Sequence, residues 1–324
     1  LNGAMTVAAG ATLTITPNTI SAWTYLDFGT SAVLTNNGTI NFTPYAAGGW
    51  SYVDFRLSPA FAGTGATGVF NNRGVINIGP SGGAGDALGY MVIYFHPTFN
   101  NIGGAISTYA NGYTQNNSSY LYIYTPTGQT GSIGGNSTFD DKVTWRTTTN
   151  YLGTINLLDG TVISSSQGIS QAGVQQTYSL NIFDSAFVSA GSSVRINNAK
   201  IDGGSVTAAT GNVITMNGLY WTGGSLSSSG TGYIKLIGDA NTLVPSASSI
   251  IGTGPTVSGN ITIDTNAVLN MLPVASGHVP FGVNGVLTNN GTININPGTA
   301  AGYNVYFGYA NVNQGSIVNN GTFN

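Results

Sequence analysis

The chain has 324 residues, 41 % of them hydrophobic and only 5 % charged, with a formal net charge of −3. Ten Asp, no Glu and seven Lys plus Arg leave out the side chains that keep helix surfaces soluble, so a helical protein is excluded. No basic run is present for nucleic acid or an anionic membrane surface. No apolar run reaches the roughly 18–20 residues of a membrane helix, and no Cys supplies a disulfide. Thr, Ser, Asn, Val, Ile and Tyr dominate, with 48 Gly between them, which is a strand-and-turn composition.

In chain order, residues 1–105 carry a short repeat. WTYLDF (23–28) returns as WSYVDF (50–55) and more loosely as GYMVIYF (89–95). Between these lie NNGTINF (36–42), NNRGVINI (71–78) and FNNIGGAI (99–106). The spacing, about 27 to about 40 residues, is too uneven for propeller blades and suits solenoid rungs with loops of variable length. Residues 106–195 form an irregular middle, of which 108–150 is expected to project as a lobe. Residues 196–256 have their own unit, NAKIDGGSV (198–206) matching NGLYWTGGSL (217–226) at a period of 20. Residues 257–324 begin a second copy of the opening. TVAAGATLTITP (6–17) matches TIDTNAVLNMLP (262–273), VLTNNGTINFTP (33–44) matches VLTNNGTININP (286–297), and GVFNNRGVIN (68–77) matches SIVNNGTFN (316–324). One large repeat of about 250 residues and the start of the next are therefore expected. With Leu1 at the start, a secretory leader is expected upstream, and the partial second copy suggests a longer array or an end on which another copy docks.

One unit, residues 33–44, explains how such a repeat folds. Leu34 closes one strand. Asn36, Asn37 and Gly38 make a corner from residues that tolerate positive φ. Thr39 to Phe42 make the next strand, with Ile40 and Phe42 on one face. Placing one coil on the next stacks Ile on Ile and Asn on Asn at about 4.8 Å. At about 22 residues per rung the chain would make roughly fifteen rungs and a rod near 70 Å long. Pro residues follow short strands, where a missing N–H does no harm. Crossovers between parallel strands are right-handed, so the expected fold is all-β, a right-handed parallel β-helix (β-solenoid) with irregular loops, continuous over 1–324. The alternative is a tandem of antiparallel β-sandwiches joined near 105–150.

The phrases VAAGATLTI, VLTNNGTINI, GLYWTGGSLSSSGTGYI and SIVNNGTFN resemble the repeat segments of bacterial cell-surface β-helical adhesins, of the filamentous-haemagglutinin and autotransporter-passenger type, and of related giant secreted surface proteins. The resemblance covers mainly 1–105 and 195–324. It implies a secreted, extracellular structural repeat protein: part of a surface filament, sheath or adhesin stalk, without catalysis, self-associating end to end or laterally. It carries over no functional residue. The 17 Tyr and 13 Phe exceed what a bare spacer needs.

Those aromatics suggest a contact face. In Tyr120-Leu-Tyr-Ile-Tyr124, three tyrosines share one side of a strand and Leu121 and Ile123 the other. With the aliphatic side inward, Tyr120, Tyr122 and Tyr124 face out, where they would stack on sugar rings or a partner. Trp50 and Tyr52 are placed alike. A glycan-binding adhesin is thus the alternative function. A polysaccharide-degrading β-helix enzyme or tail-spike is a further one, since Asp140, Asp141, Lys142 and Arg146 form the one charge cluster. Asp27 and Asp54 occupy equal places in consecutive W-x-Y-x-D-F units and would lie on neighbouring rungs, compensated by Ca²⁺ or, more simply, by Arg56. His96 and His278 are read as neither ligand nor base, and no nucleophile elbow is present.

Overall fold

The computed structural model describes residues 1–17, 23–29, 31–44, 50–57, 68–78, 90–107, 120–139, 143–146, 154–158, 161–165, 180–190, 194–245, 254–273, 276–282, 284–295, 304–308 and 315–324. Among the described residues every regular element is a strand and none is a helix. Twenty-nine strands join one sheet system, and a two-stranded sheet stands beside it.

Each strand pairs, in parallel, with the strand one circuit later, so three ladders grow side by side. The first ladder runs Ala4–Val7, Val33–Asn36, Val69–Asn72, Thr98–Ile102, Thr130–Gly134, Thr154–Leu157, then 187–190, 205–208, 225–228 and Thr256–Ser258. The second runs Thr12–Ile15, Thr39–Phe42, Val75–Ile78, Ala105–Ser107, Asn136–Phe139, Val162–Ser165, then 194–197, 213–217, Tyr233–Ile237, Asn260–Ile263, Val286–Asn289 and Ser316–Asn319. The third begins Trp23–Phe28, Trp50–Leu57, Tyr90–Phe95, Tyr120–Tyr124 and Val143–Arg146 and ends at Thr322–Phe323. All pairing among the described strands is parallel, which removes the antiparallel sandwiches. The arrangement is compatible with a β-solenoid. Described strands of the middle segment, from Tyr120–Tyr124 to 180–190, take their places in the same ladders.

A circuit takes 36 residues between Asn36 and Asn72, 29 between Asn72 and Asn101, and 20 between Thr207 and Ser227. The last value equals the period read from the sequence of the middle unit. Circuits are mostly longer than the expected 22 residues. The second ladder accordingly holds twelve strand positions rather than fifteen, or about 50 Å of stack at the spacing of paired strands.

The ladders enclose a dry interior. Ile40 stacks between Leu13 and Ile76, and Ile76 on Ile106. Ile40, Ile76 and Ile106 are all fully buried. Phenylalanines fill the early circuits, with Phe55 edge-on to Phe95 at 4.5 Å and to Phe42 at 5.7 Å. Trp145 and Trp221 take their place further on. Each such side chain contributes about 1.5–3 kcal/mol by leaving water, spread along the stack.

The corner between ladders is the most constrained point. Asn36, Asn72 and Asn101 are fully buried there. The Asn36 amide donates to Asn72 Oδ1 at 2.8 Å and to the Val75 carbonyl at 3.1 Å. Asn72 donates to Asn101 Oδ1 at 2.6 Å, and Asn101 donates to Ser137 Oγ at 2.8 Å. Gly38 and Gly74 do not have the positive φ expected for this corner. Their requirement is space. A Cβ on Gly38 would stand 2.3 Å from the carbonyl oxygens of Ala8 and Ala11, and one on Gly74 would stand 2.1 Å from the carbonyl oxygen of Gly38.

The second large repeat uses this unit again, one side further round. Ala4 pairs with Val33 in the first ladder, and the equivalent Asn260 pairs with Val286 in the second. Thr12 pairs with Thr39 in the second ladder, and Val268 with Thr292 in the third. The corner is reproduced bond for bond. Asn289 donates to Asn319 Oδ1 at 2.7 Å and to the Thr322 carbonyl at 2.8 Å, and accepts from Gly291 N as Asn36 accepts from Gly38 N. The repeat therefore closes after nine circuits and one side, not after a whole number of circuits.

Two substitutions test the corner. Asn72→Ala removes the acceptor of one Asn36 N–H, whose amide keeps only its bond to the Val75 carbonyl, and the donor to Asn101 Oδ1 in a buried site, and should cost about 2–6 kcal/mol at about 1–3 per group affected in denaturant unfolding. Gly74→Ala should destabilise the protein severely. Gly3→Ala, where a Cβ meets nothing within 4 Å, should shift the midpoint hardly at all.

Candidate functional site

Trp23–Phe28, Trp50–Leu57, Tyr90–Phe95 and Tyr120–Tyr124 are neighbours in the third ladder and alternate between inward and outward positions, although outward Val92 is itself buried. Val53, Phe55, Ile93, Phe95, Leu121 and Ile123 point in and are buried. Among the described side chains, those at the intervening positions point out and form an aromatic face with a few charges set into it.

The pairing register differs from the one the W-x-Y-x-D-F units suggest. Superposing the units would put Asp27 beside Asp54. The strands instead slide by two residues, so that Trp23 faces Tyr52, Tyr25 faces Asp54 and Asp27 faces Arg56. A slide of two keeps every side chain on its own side. It parts the two carboxylates and brings a guanidinium to Asp27. Arg56 Nε donates to Asp27 Oδ1, Nη2 lies 3.5 Å from Oδ2, and Cζ lies 3.8 Å above the Tyr25 ring. The hydrogen bond from Arg56 holds the Asp27 carboxyl below its usual range.

Asp54 has a different neighbour, His96, whose Nε2 is 3.2 Å from its Oδ1. The two carboxylates therefore share no site. Among the described residues no three His, Cys, Asp or Glu side chains converge as metal ligands, whereas Ca²⁺ takes about 6–8 oxygens. Of the two compensations considered for Asp27, the one the structure brings to it is Arg56.

The rings lie nearly parallel and close. Trp23 stacks on Tyr52 at 4.9 Å and lies 6.2 Å from Tyr25 at 8°. Trp50 stacks on Tyr52 at 6.3 Å, and Tyr120 on Tyr122 at 6.0 Å and 2°. Tyr94 joins the two groups, 5.3 Å from Trp23 and 5.5 Å from Tyr122. Its phenol is pushed above the usual range, first by burial and then by the neighbouring tyrosines, so it stays neutral.

The residues predicted from sequence divide as follows. Trp50, Tyr52, Tyr120 and Tyr122 share this outward face. Tyr124 also points outward, yet it is only 7 % exposed. His96 stacks on it at 5.1 Å and Tyr94 at 6.4 Å. Its expected role as an open contact is therefore corrected. The open rings are Tyr25 at 48 %, Trp23 at 44 % and Trp50 at 39 % exposure. Trp23, Tyr25 and Tyr94 were not singled out in the sequence, and His96 was read there as neither ligand nor base, although the alternation that marked Trp50 and Tyr52 runs through them too. Asp140, Asp141 and Lys142 lie outside the described residues, as does the side chain of Arg146.

A second polar surface lies on the second ladder, where an open groove of about 400 Å³ is lined by Tyr233, Lys235, Asn260, Thr262, Asp264 and Thr288. Lys235 Nζ reaches Asp264 Oδ2 at 2.8 Å, and this bond raises the lysine's pKa.

No protein-family model, no characterised protein and no solved structure matches this chain.

The lowered pKa of Asp27 implies a pH dependence. Its contribution to stability is present above the ordinary carboxylate range and is lost as pH falls through the depressed value. Asp27→Asn should therefore melt below the natural chain near neutrality. The gap should be small, because the carboxyl is 45 % exposed, and it should close in strong acid. Thermal melts of both proteins across that range measure it.

Proposed function

We propose that this chain is a section of an extracellular structural repeat protein, a right-handed parallel β-helix that serves as a stalk, sheath or filament at a cell surface. The observation that carries this reading is the reuse of one unit, in one register, on the next ladder. A stack that accepts its own first unit again, turned by one side, extends without any new contact having to be invented. Right-handed winding follows from the strong preference of parallel crossovers.

Composition supports the same reading. The interior is supplied by stacking, so neither disulfides nor a dense surface charge is needed. A mechanical role requires no catalytic group. The resemblance to cell-surface adhesin repeats supports secretion. Self-association is part of the proposal: a head-to-tail contact between strand edges does not close and so yields filaments rather than rings.

Electron microscopy of the purified chain tests this. The expected particles are straight rods that join end on as concentration rises. Round particles that stay dispersed at all concentrations would contradict the scaffold reading. Release of reducing sugar from a broad polysaccharide panel, lost in Asp140→Ala with Asp141→Ala, would replace it with an enzyme.

A further inference from the structure

The second repeat acts as an internal control for what the scaffold itself demands. Gly277–Val279 and Val305–Phe307 pair in the register of Trp23–Phe28 and Trp50–Leu57, with His278 facing Tyr306 as Tyr25 faces Asp54. Inward positions keep their character: Val279 stands for Leu26 and Phe307 for Phe55. Outward positions change more. Ser276 stands where Trp23 does, Asn304 for Tyr52, Pro280 for Asp27 and Gly308 for Arg56, while His278 stands for Tyr25 and stacks on Tyr306, itself 41 % exposed. The fold thus builds the same pairing without the two rings and without the ion pair. Exposed tryptophan is costly to solubility and marks interaction sites, and the second repeat shows that the pairing does not require it at position 23.

The chemistry of the patch narrows the ligand. Trp23, Tyr25 and Trp50 are each more than a third exposed, with Arg56 covering one face of Tyr25 and Tyr52 stacked against the two tryptophans. Arg56 and Asp27 lie beside them and neutralise each other, and Asp54, which faces Tyr25, is turned to His96 with its side chain only 15 % exposed. The guanidinium carries five N–H donors, of which two are engaged with Asp27. Apolar rings flanked by a mutually neutralised planar donor and acceptor complement a molecule with C–H faces and hydroxyl edges. We propose that Trp23, Tyr25 and Trp50, with Asp27 and Arg56, form a binding site for a neutral polysaccharide. The inference goes beyond the scaffold reading, and either holds if the other fails.

Affinity electrophoresis of the full chain tests it, in native gels containing hydroxyethyl cellulose, galactomannan or xylan, with polygalacturonate as the acidic comparison. The site predicts retardation by at least one neutral polymer, unchanged when salt is raised about tenfold, since no exposed net charge is screened. Trp23→Ser places at position 23 the residue that the second repeat already tolerates, so folding should survive. It should weaken retardation at least tenfold, as should Trp50→Ala, while Tyr306→Ala leaves it unchanged. Retardation by none of the neutral polymers overturns the proposal. So does retardation that survives both tryptophan substitutions, or binding to polygalacturonate that fades with salt. A dimer of the natural chain that Trp23→Ser makes monomeric would assign the face to a second copy instead, and would also overturn it.

Discussion

Each strand must sit in register on the strand one circuit earlier, and the space between circuits at the corners leaves no room for a side chain. Gly38, Gly74, Gly291 and Gly321 each lie against backbone carbonyl groups, close enough that a Cβ would fall 2.1–2.3 Å from an oxygen. Buried asparagines beside them supply the hydrogen bonds that such a tight approach would otherwise leave unmade. With the corners fixed, the strands between them align, and the inward Ile, Leu and Phe side chains stack as a consequence. Loops can then grow or shrink, from circuits of 20 residues to circuits of 36, without disturbing the ladders.

This division explains what the large repeat conserves. Corner asparagines, corner glycines and inward apolar residues recur between residues 1–78 and 257–324, as do their registers. Outward residues of the third ladder do not recur. The rings around Trp23 and the Arg56–Asp27 pair belong to a surface that the stack tolerates rather than requires. The repeat supplies the stacked strands, and departures from the repeat give one region of their surface a distinct chemistry.

Much of this was legible in the sequence, for physical reasons. Alternation in Thr39 to Phe42 gives the strand and its inward face, and N-N-G gives the corner. The period of 20 in the middle equals its stacking distance because that stretch has almost no loop. Other features were hidden. The slide by two residues between Trp23–Phe28 and Trp50–Leu57 preserves the in-out pattern, so pattern alone cannot reveal it. Charge decides it, by placing Arg56 and not Asp54 against Asp27. The role of Gly38 was misread because a glycine needed for positive φ and one needed for space look the same as letters. The burial of Tyr124 depends on His96, which lies a circuit earlier. Likewise, a sequence match between residues 6 and 262 carries no record of which side of the stack each occupies.

Reuse of the unit on the next ladder is open to direct chemical measurement, because the chain has no cysteine of its own. Thr262, the counterpart of first-ladder Thr6, is paired with Lys235 in the second ladder, while Ser227 is paired with Ser258 in the first. Paired positions fall within the Cα separation a disulfide allows, about 4.4–6.8 Å. Oxidation of a Lys235→Cys/Thr262→Cys double variant should give a near-quantitative disulfide without loss of thermal stability, and a Ser227→Cys/Thr262→Cys variant should stay reduced. The opposite outcome would place the second repeat directly above the first and contradict the account.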